Sequence, residues 1–187
     1  MTPEDLLIRT DRLDLHTVLL GEYWMLSVDR ADPHLWVDRG FTNPFGHLVE
    51  NPGPLPFRIP RVEADPDAAP LLLRMGVLRD GEVIIGSVGF HDRPDADGMI
   101  EIGLGVEAAC RGNGYAQEML HGMWSWITTD PEVRTLRYTV APDNAPSQAI
   151  IRKLGFEFRG QQIDEIDGPE DIFELSAEEY RSRFIDR

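Results

Sequence analysis

Six residues, Arg111-Gly112-Asn113-Gly114-Tyr115-Ala116, join a strand-like run to a helix-like one, and no other stretch restricts the possible folds of this chain as much. The upstream run, Ile100-Glu101-Ile102-Gly103-Leu104-Gly105-Val106, is apolar and short. Downstream, Ala116, Met119, Leu120, Met123 and Ile127 recur at helical spacing and predict a helix from Gly114 to about Thr128. Glycines let a ligand come close to the backbone, and the first N–H groups of a helix have no partner inside it. A strand–turn–helix unit with these properties suits an anionic phosphate, helped by the helix dipole. Two commoner phosphate sites do not fit. The Rossmann pattern needs Gly or Ala where Gln117 stands, and the P-loop needs Gly-Lys-Ser/Thr, whereas Lys153 is the only lysine. A plain strand–helix connection is the other reading of a turn like this.

A second segment lies downstream, Val140-Ala141-Pro142-Asp143-Asn144-Ala145-Pro146-Ser147-Gln148-Ala149-Ile150-Ile151-Arg152-Lys153-Leu154-Gly155-Phe156. A strand over 135–140 runs into a turn that Asn144 can close as a helix N-cap. Pro146 is tolerable in the first turn, where N–H groups are unpaired anyway. Ile150, Ile151 and Leu154 form an apolar helical face, and Gly155 ends the helix. R-G-N-G-Y-A after E-I-G-L-G-V, followed by N-A-P-S and K-L-G-F, resembles the GNAT superfamily of acetyl-CoA-dependent N-acetyltransferases. The resemblance covers roughly residues 7–175 and is strongest from 99 to 158. The phrasing E-I-G…R-G-N-G-Y-A-Q-E is similar to the branch that holds the ribosomal-protein N-terminal alanine acetyltransferases.

The resemblance implies an α/β (α+β) GNAT fold: a mixed, mainly antiparallel twisted sheet of about seven strands, flanked by helices and splayed between strands four and five. The 187 residues are expected to form one such domain. Along the chain, 6–20 predicts a first strand and 22–30 a short helix. Residues 31–70 hold eight prolines, at 33, 44, 52, 54, 56, 60, 66 and 70, which oppose a long helix or central strand and leave a functional or disordered loop with helix fragments near 34–39, which the resemblance places on the acceptor side. Strands over 71–78 and 83–90 flank Arg79-Asp80-Gly81-Glu82, a hairpin signal, and 99–106 continues the meander. Two closing strands, 157–165 and 171–175, are joined by Ile166-Asp167-Gly168-Pro169, and Ser176-Ala177-Glu178-Glu179 caps a last helix. Gly122 inside the 114–128 helix costs about 1 kcal/mol relative to Ala, with no reason visible in the sequence.

Composition removes several functions. A net charge of −15 opposes non-specific nucleic-acid binding, which needs basic surface, and favours either a cationic acceptor or simply a well-solvated surface. No run reaches the ~18 apolar residues of a membrane span, so no membrane partner is expected. The acidic start, Met1-Thr2-Pro3-Glu4-Asp5, does not read as a secretory signal. The single cysteine, Cys110, precludes an internal disulfide and suits a cytoplasmic location. Five histidines show no metal-ligand spacing, so no metal is expected. Monomer and homodimer are both open.

The resemblance implies direct acetyl transfer from acetyl-CoA to a primary amine, either a protein N-terminus or a small-molecule amine; a catalytically idle acyl-CoA sensor is the alternative. Arg111, Gly112, Asn113, Gly114, Tyr115 and Ala116 are then expected to hold the pyrophosphate, with Arg111, Arg152 and Lys153 as counter-charges. Leu104 and Val106 would offer backbone groups to the pantetheine, where Gly103 and Gly105 suit a close backbone approach or a bulge. Asn144 has two open roles, N-cap and pantetheine contact. Ser147 has three: capping, cofactor contact and proton donor. Glu101 is the candidate base for an alkyl ammonium, acting through water; an outward-facing strand position is the competing account. The tyrosine that protonates the thiolate in many relatives corresponds here to Ile151, so Ser147, another tyrosine or solvent must act. Cys110 beside Arg111 invites a covalent reading, although no dyad partner is evident and simple packing competes with it. Glu118 and His121 read as a solvated helix face. Trp24, Trp36, Phe41 and Phe45 are candidates for an aromatic acceptor wall, with Asp38 or Glu50 receiving an ammonium.

Overall fold

The computed structural model describes residues 3–164 and 168–186. Glu165, Ile166 and Asp167, the end of one expected strand and the start of its turn, lie outside the described residues. The chain groups into two compact units, one comprising residues up to His91 together with Leu104–Met123, the other Asp92–Gly103 with the residues from Trp124 onward.

The first unit contains α1 (Pro3–Leu6), β1 (Leu7–Arg9), β2 (Leu13–Thr17), α2 (Leu20–Val28), α3 (Leu55–Ala64), α4 (Ala69–Leu72), β3 (Arg74–Leu78) and β4 (Val83–Phe90). It also takes the C-terminal part of β5 (Met99–Val106) and most of α5 (Tyr115–Ile127). Antiparallel pairing runs β1–β2, β2–β3 and β3–β4. The expected single strand over 6–20 is instead a hairpin. Thr10 N–H donates to Leu13 O at 2.9 Å, and the polar Thr10-Asp11-Arg12 turn separates two short strands. That split raises the strand count from about seven to eight. Leu13 and Leu15 are fully buried while Asp14 and His16 point to the other, half-exposed face, as period-2 alternation requires.

The proline-rich segment holds more helix than its prolines suggest. α3 spans ten residues, with Pro56 in its first turn and Pro60 inside. Leu55 and Val62 of α3 are buried with Tyr23 and Leu26 of α2, and that burial outweighs the bond lost at Pro60. Thr42 ties the same segment to the sheet, its carbonyl accepting from Ile84 N–H at 2.9 Å.

The second unit holds the N-terminal part of β5, the end of α5, β6 (Thr135–Val140), α6 (Ala145–Leu154), β7 (Glu157–Asp164), β8 (Gly168–Ser176) and α7 (Ala177–Phe184). β5 pairs with β6 in parallel over Met99–Ile102 and Thr135–Tyr138. This register stops at Ile102↔Tyr138 although β5 runs on to Val106. β8 lies antiparallel between β6 and β7 and begins three residues earlier than its apolar core suggests. Trp124 anchors this unit, its ring 4.7 Å from Phe156 and 6.0 Å from Tyr180. The hydrogen-bonded strand order among the described residues is β1-β2-β3-β4-β5-β6-β8-β7, a mixed and mostly antiparallel α/β arrangement that includes the parallel β5–β6 pair.

Candidate active site

The loop after β5 is built to leave donors unused. Glu107 N–H is spent on Ile85 O at 2.9 Å, a 3-10 turn covers Ala108–Cys110, and Arg111 N–H donates to Ala108 O at 3.4 Å. Gly112 (φ 79°) and Gly114 (φ 82°) then take the left-handed conformation that bulkier residues disfavour. Among the described residues, the backbone N–H groups of Gly112, Asn113, Gly114, Tyr115 and Ala116 donate to no protein acceptor. Five successive free donors at the start of a thirteen-residue helix are what an anionic group needs. Arg111 is the exception in the expected set of six: its N–H is used, and its Nε donates to Val106 O at 3.0 Å while the side chain stays exposed. Asn113 braces the loop from within, its amide donating to the carbonyls of Cys110 and Arg111 at 3.1 and 3.2 Å.

Outside the motif, Arg12 completes this loop. Its guanidinium donates to Asn113 O at 3.0 Å, pairs with Glu118 at 2.7 Å and lies over the Tyr115 ring at 4.5 Å. Glu118 is therefore no solvated residue. It also accepts from Thr10 Oγ1 at 2.6 Å and from the backbone N–H of Arg12 at 2.6 Å. Burial alone would raise its pKa; the hydrogen bonds from Thr10 and Arg12, together with the Arg12 charge, outweigh burial and hold the carboxyl below its ordinary value. Gly122, one turn further along, gains its reason here. A Cβ there would stand 2.9 Å from Thr10 Cγ2 and 3.0 Å from Leu15 Cδ1.

Leu104 and Val106 sit on the half-buried end of β5, beside an exposed Gly105. The glycine that permits close backbone approach is Gly86 on β4, because a Cβ there would lie 2.2 Å from Gly105 O. Next to it, Ser87 Oγ is 2.9 Å from His47 Nε2, and His47 Nδ1 is 2.5 Å from Glu107 Oε1. Cys110 is buried, and burial followed by the Glu107 charge raises its thiol pKa, which disfavours the thiolate a covalent role requires.

In the second unit, Asn144 caps α6, its side chain accepting from Ser147 N–H at 3.2 Å, and Gly155 closes the helix at φ 86°. Buried Gln148 locks the preceding turn by donating to Pro142 O and to Asp171, both at 3.0 Å. Its own oxygen engages Arg152 at 2.8 Å, so this expected counter-charge already has a protein partner. Tyr138 is buried, and burial raises its hydroxyl pKa, with a smaller opposing effect from the Ser147 side chain. Glu101 accepts from Thr139 Oγ1 at 2.6 Å, on the strand face opposite buried Ile100 and Ile102. Ile151 is fully buried. The four expected acceptor aromatics divide: Trp36 and Phe41 are core residues 5.6 Å apart, whereas Trp24 and Phe45 are exposed.

A mixed sheet whose fifth strand leads into a cradle of unpaired N–H groups is an arrangement suited to an anionic ligand. The Acetyltransferase (GNAT) domain model matches residues 58–157, more than half of the chain, and the protein belongs to the GNAT acetyltransferase family. An uncharacterized N-acetyltransferase of Bacillus subtilis (strain 168), YjdG, is 35% identical over 80 residues, covering 43% of this chain and 48% of that protein. The uncharacterized N-acetyltransferase p20 of Bacillus licheniformis is 25% identical over 84 residues, 45% and 47% of the two chains. The chain thus spans about half the length of the curated relatives it matches. Among solved structures, the ribosomal-protein-S5-alanine acetyltransferase of Vibrio fischeri superposes with a TM-score of 0.66 at 10% identity, over 94% of this chain and 99% of that one. RimL, a ribosomal L7/L12 alpha-N-protein acetyltransferase in complex with coenzyme A, gives 0.62 at 12% identity, over 91% and 97%. Identities this low show a shared fold.

Proposed function

We propose that the protein transfers an acetyl group from acetyl-CoA directly to a primary amine. The observation that carries this reading is the run of five undonated N–H groups, Gly112 to Ala116, inside the family match at 58–157. These groups would hold the pyrophosphate, with exposed Arg111 as counter-charge, and the backbone of Leu104 and Val106 would take the pantetheine arm. Asn144 contacts the same arm while it caps α6. Bound acetyl-CoA supplies an activated thioester. Glu101, through water, takes the first proton of the incoming ammonium, and Ser147 returns one to the departing thiolate. A protein N-terminus is the favoured acceptor, supported by the ribosomal-protein acetyltransferases among the structural neighbours; a small-molecule amine is the other. An unpaired cysteine agrees with work in the cytoplasm.

Calorimetry with CoA and thiol release over a panel of amines and peptide N-termini test this reading. CoA binding with amine-dependent thiol release is expected. Binding without release from any amine marks a sensor, and no binding removes the cofactor assignment. Gly114→Trp should abolish CoA binding while the domain stays folded.

A further inference from the structure

Ser87, His47 and Glu107 form a chain of polar groups to which the proposed reaction gives no part. Ser87 on β4, His47 in the loop after α2 and Glu107 at the end of β5 are far apart in sequence yet consecutive in space. His47 Nδ1 lies 2.5 Å from Glu107 Oε1, and Nε2 lies 2.9 Å from Ser87 Oγ. An ionised carboxylate can only accept, so Nδ1 carries the proton that faces Glu107, and in the tautomer with that single proton Nε2 accepts from the Ser87 hydroxyl. This orders the chain as a proton path, with the carboxylate placed to stabilise an imidazolium.

The backbone around His47 is held in place at some expense. Asn43 grips both sides of its peptide: His47 N–H donates to Asn43 Oδ1 at 2.8 Å, and the Asn43 amide donates to His47 O at 3.1 Å. Leu48 occupies the left-handed region at φ 64°, a strained conformation for a non-glycine, and is buried there. The ring is carried to the one part of β5 where side chains give way. His47 Cε1 is the nearest atom to the position a Cβ on Gly105 would take, at 3.9 Å. Gly105 lies between Leu104 and Val106, the residues proposed to hold the pantetheine. The His47 side chain is 9% exposed and that of Glu107 27%, so the imidazole is shielded from bulk water while the carboxylate edge reaches it.

We propose that Ser87, His47 and Glu107 accept the second proton of the acceptor nitrogen during acetyl transfer. The inference rests on the function proposed above. An ammonium must lose two protons to become an amide, and Glu101 accounts for the first only. As the N–C bond forms and the C–S bond breaks, Ser87 Oγ takes the remaining proton from nitrogen and passes its own to His47 Nε2. The electron pair of the broken bond leaves on sulfur, which Ser147 protonates. His47 releases its proton to solvent past Glu107, Glu101 releases the first one to water, and Ser147 regains from water the proton it gave to sulfur, so that the net result per turnover is one proton on the thiol and one in water. Of the three, Ser87 is the one this proposal sets against the acceptor nitrogen. His47 receives the proton through it, and Glu107 is a positioning residue.

His47→Gln and Ser87→Ala, each compared with wild type, test the assignment by three measurements. Thiol release should fall by about a hundred-fold in His47→Gln, within the range expected for general-base catalysis. Ser87→Ala should fall at least ten-fold, and CoA affinity by calorimetry should stay within two-fold in both. In the free protein, the His47 Nδ1 nitrogen-15 shift should report a proton shared with Glu107, and Glu107→Gln should move it. Normal turnover in His47→Gln overturns the proposal. So does loss of CoA binding together with a lowered melting temperature in both variants, which would make the chain a structural brace. Ring shifts that ignore Glu107→Gln overturn it as well. A wild-type protein that releases no thiol removes this inference with the function beneath it. Turnover in wild type that persists in the variants removes this inference alone.

Discussion

Arg12 shows how a residue outside every motif comes to govern one, through Glu118. Glu118 receives Thr10, the backbone of the β1–β2 turn and the Arg12 guanidinium, and Arg12 in turn grips Asn113 inside the N–H cradle. Glu118→Gln should therefore weaken CoA binding several-fold without touching the cofactor, measured by calorimetry. Its pH signature has a definite sign. The folded pKa is depressed, so its stabilisation is complete above the ordinary carboxylate value of 4.5 and is lost as pH falls through the lowered one. The difference in melting temperature between wild type and Glu118→Gln should narrow in that acid range. His16 acts in an adjoining window. Burial, then the neighbouring Arg39, lowers its pKa from 6.5 to about 4, so the folded state resists a proton that the unfolded chain accepts. Stability should fall as pH drops from about 6.5 towards 4, and His16→Asn should flatten that slope in pH-resolved thermal melts. Neither role is legible in the sequence, because the partners lie 23 to 108 residues apart along the chain.

At the scale of elements, glycines mark where backbones crowd. A methyl on Gly86 would meet the Gly105 carbonyl at 2.2 Å, and a carbonyl in a paired strand cannot step aside. Gly86→Ala should cost about 3 kcal/mol in denaturant unfolding, the upper end of ordinary overpacking. Gly122→Ala meets two side-chain carbons instead, and its gain in helix propensity of about 1 kcal/mol offsets part of the strain. Its loss should be near 1 kcal/mol. β4, β5 and β6 are read correctly from local sequence, with their bounds, because each is an apolar run stopped by a turn. The Asn144 cap and the Gly155 stop of α6 are equally local. The β1–β2 hairpin and α3 are misread for the opposite reason. A three-residue strand has too few positions to show a period, and Pro60 is overruled by tertiary burial of Leu55 and Val62.

For the molecule as a whole, the net charge of −15 is a long-range property that no single site expresses. It should speed the encounter with a cationic acceptor. Raising the salt from about 50 to 500 mM, well past the screening length of surface charges, should lower kcat/KM for a dicationic amine more than for a monocationic one of similar size. An equal effect on both would show that global charge plays no part in acceptor choice. Among the described residues, no helix is long and apolar enough to cross a membrane.

The sequence by itself determined the family, the strand–turn–helix cradle and the capped α6, since each is written in contiguous residues whose backbone preferences act over a few positions. It also held the limits set by charge and by a lone cysteine. Only the tertiary structure decided that Arg111 spends its N–H within the loop, that Arg12 and Glu118 brace it, and that Ser87, His47 and Glu107 stand in line. Those arrangements depend on side chains meeting across strands and loops. No local pattern encodes such meetings, because packing and loop closure select the partners after the elements have formed.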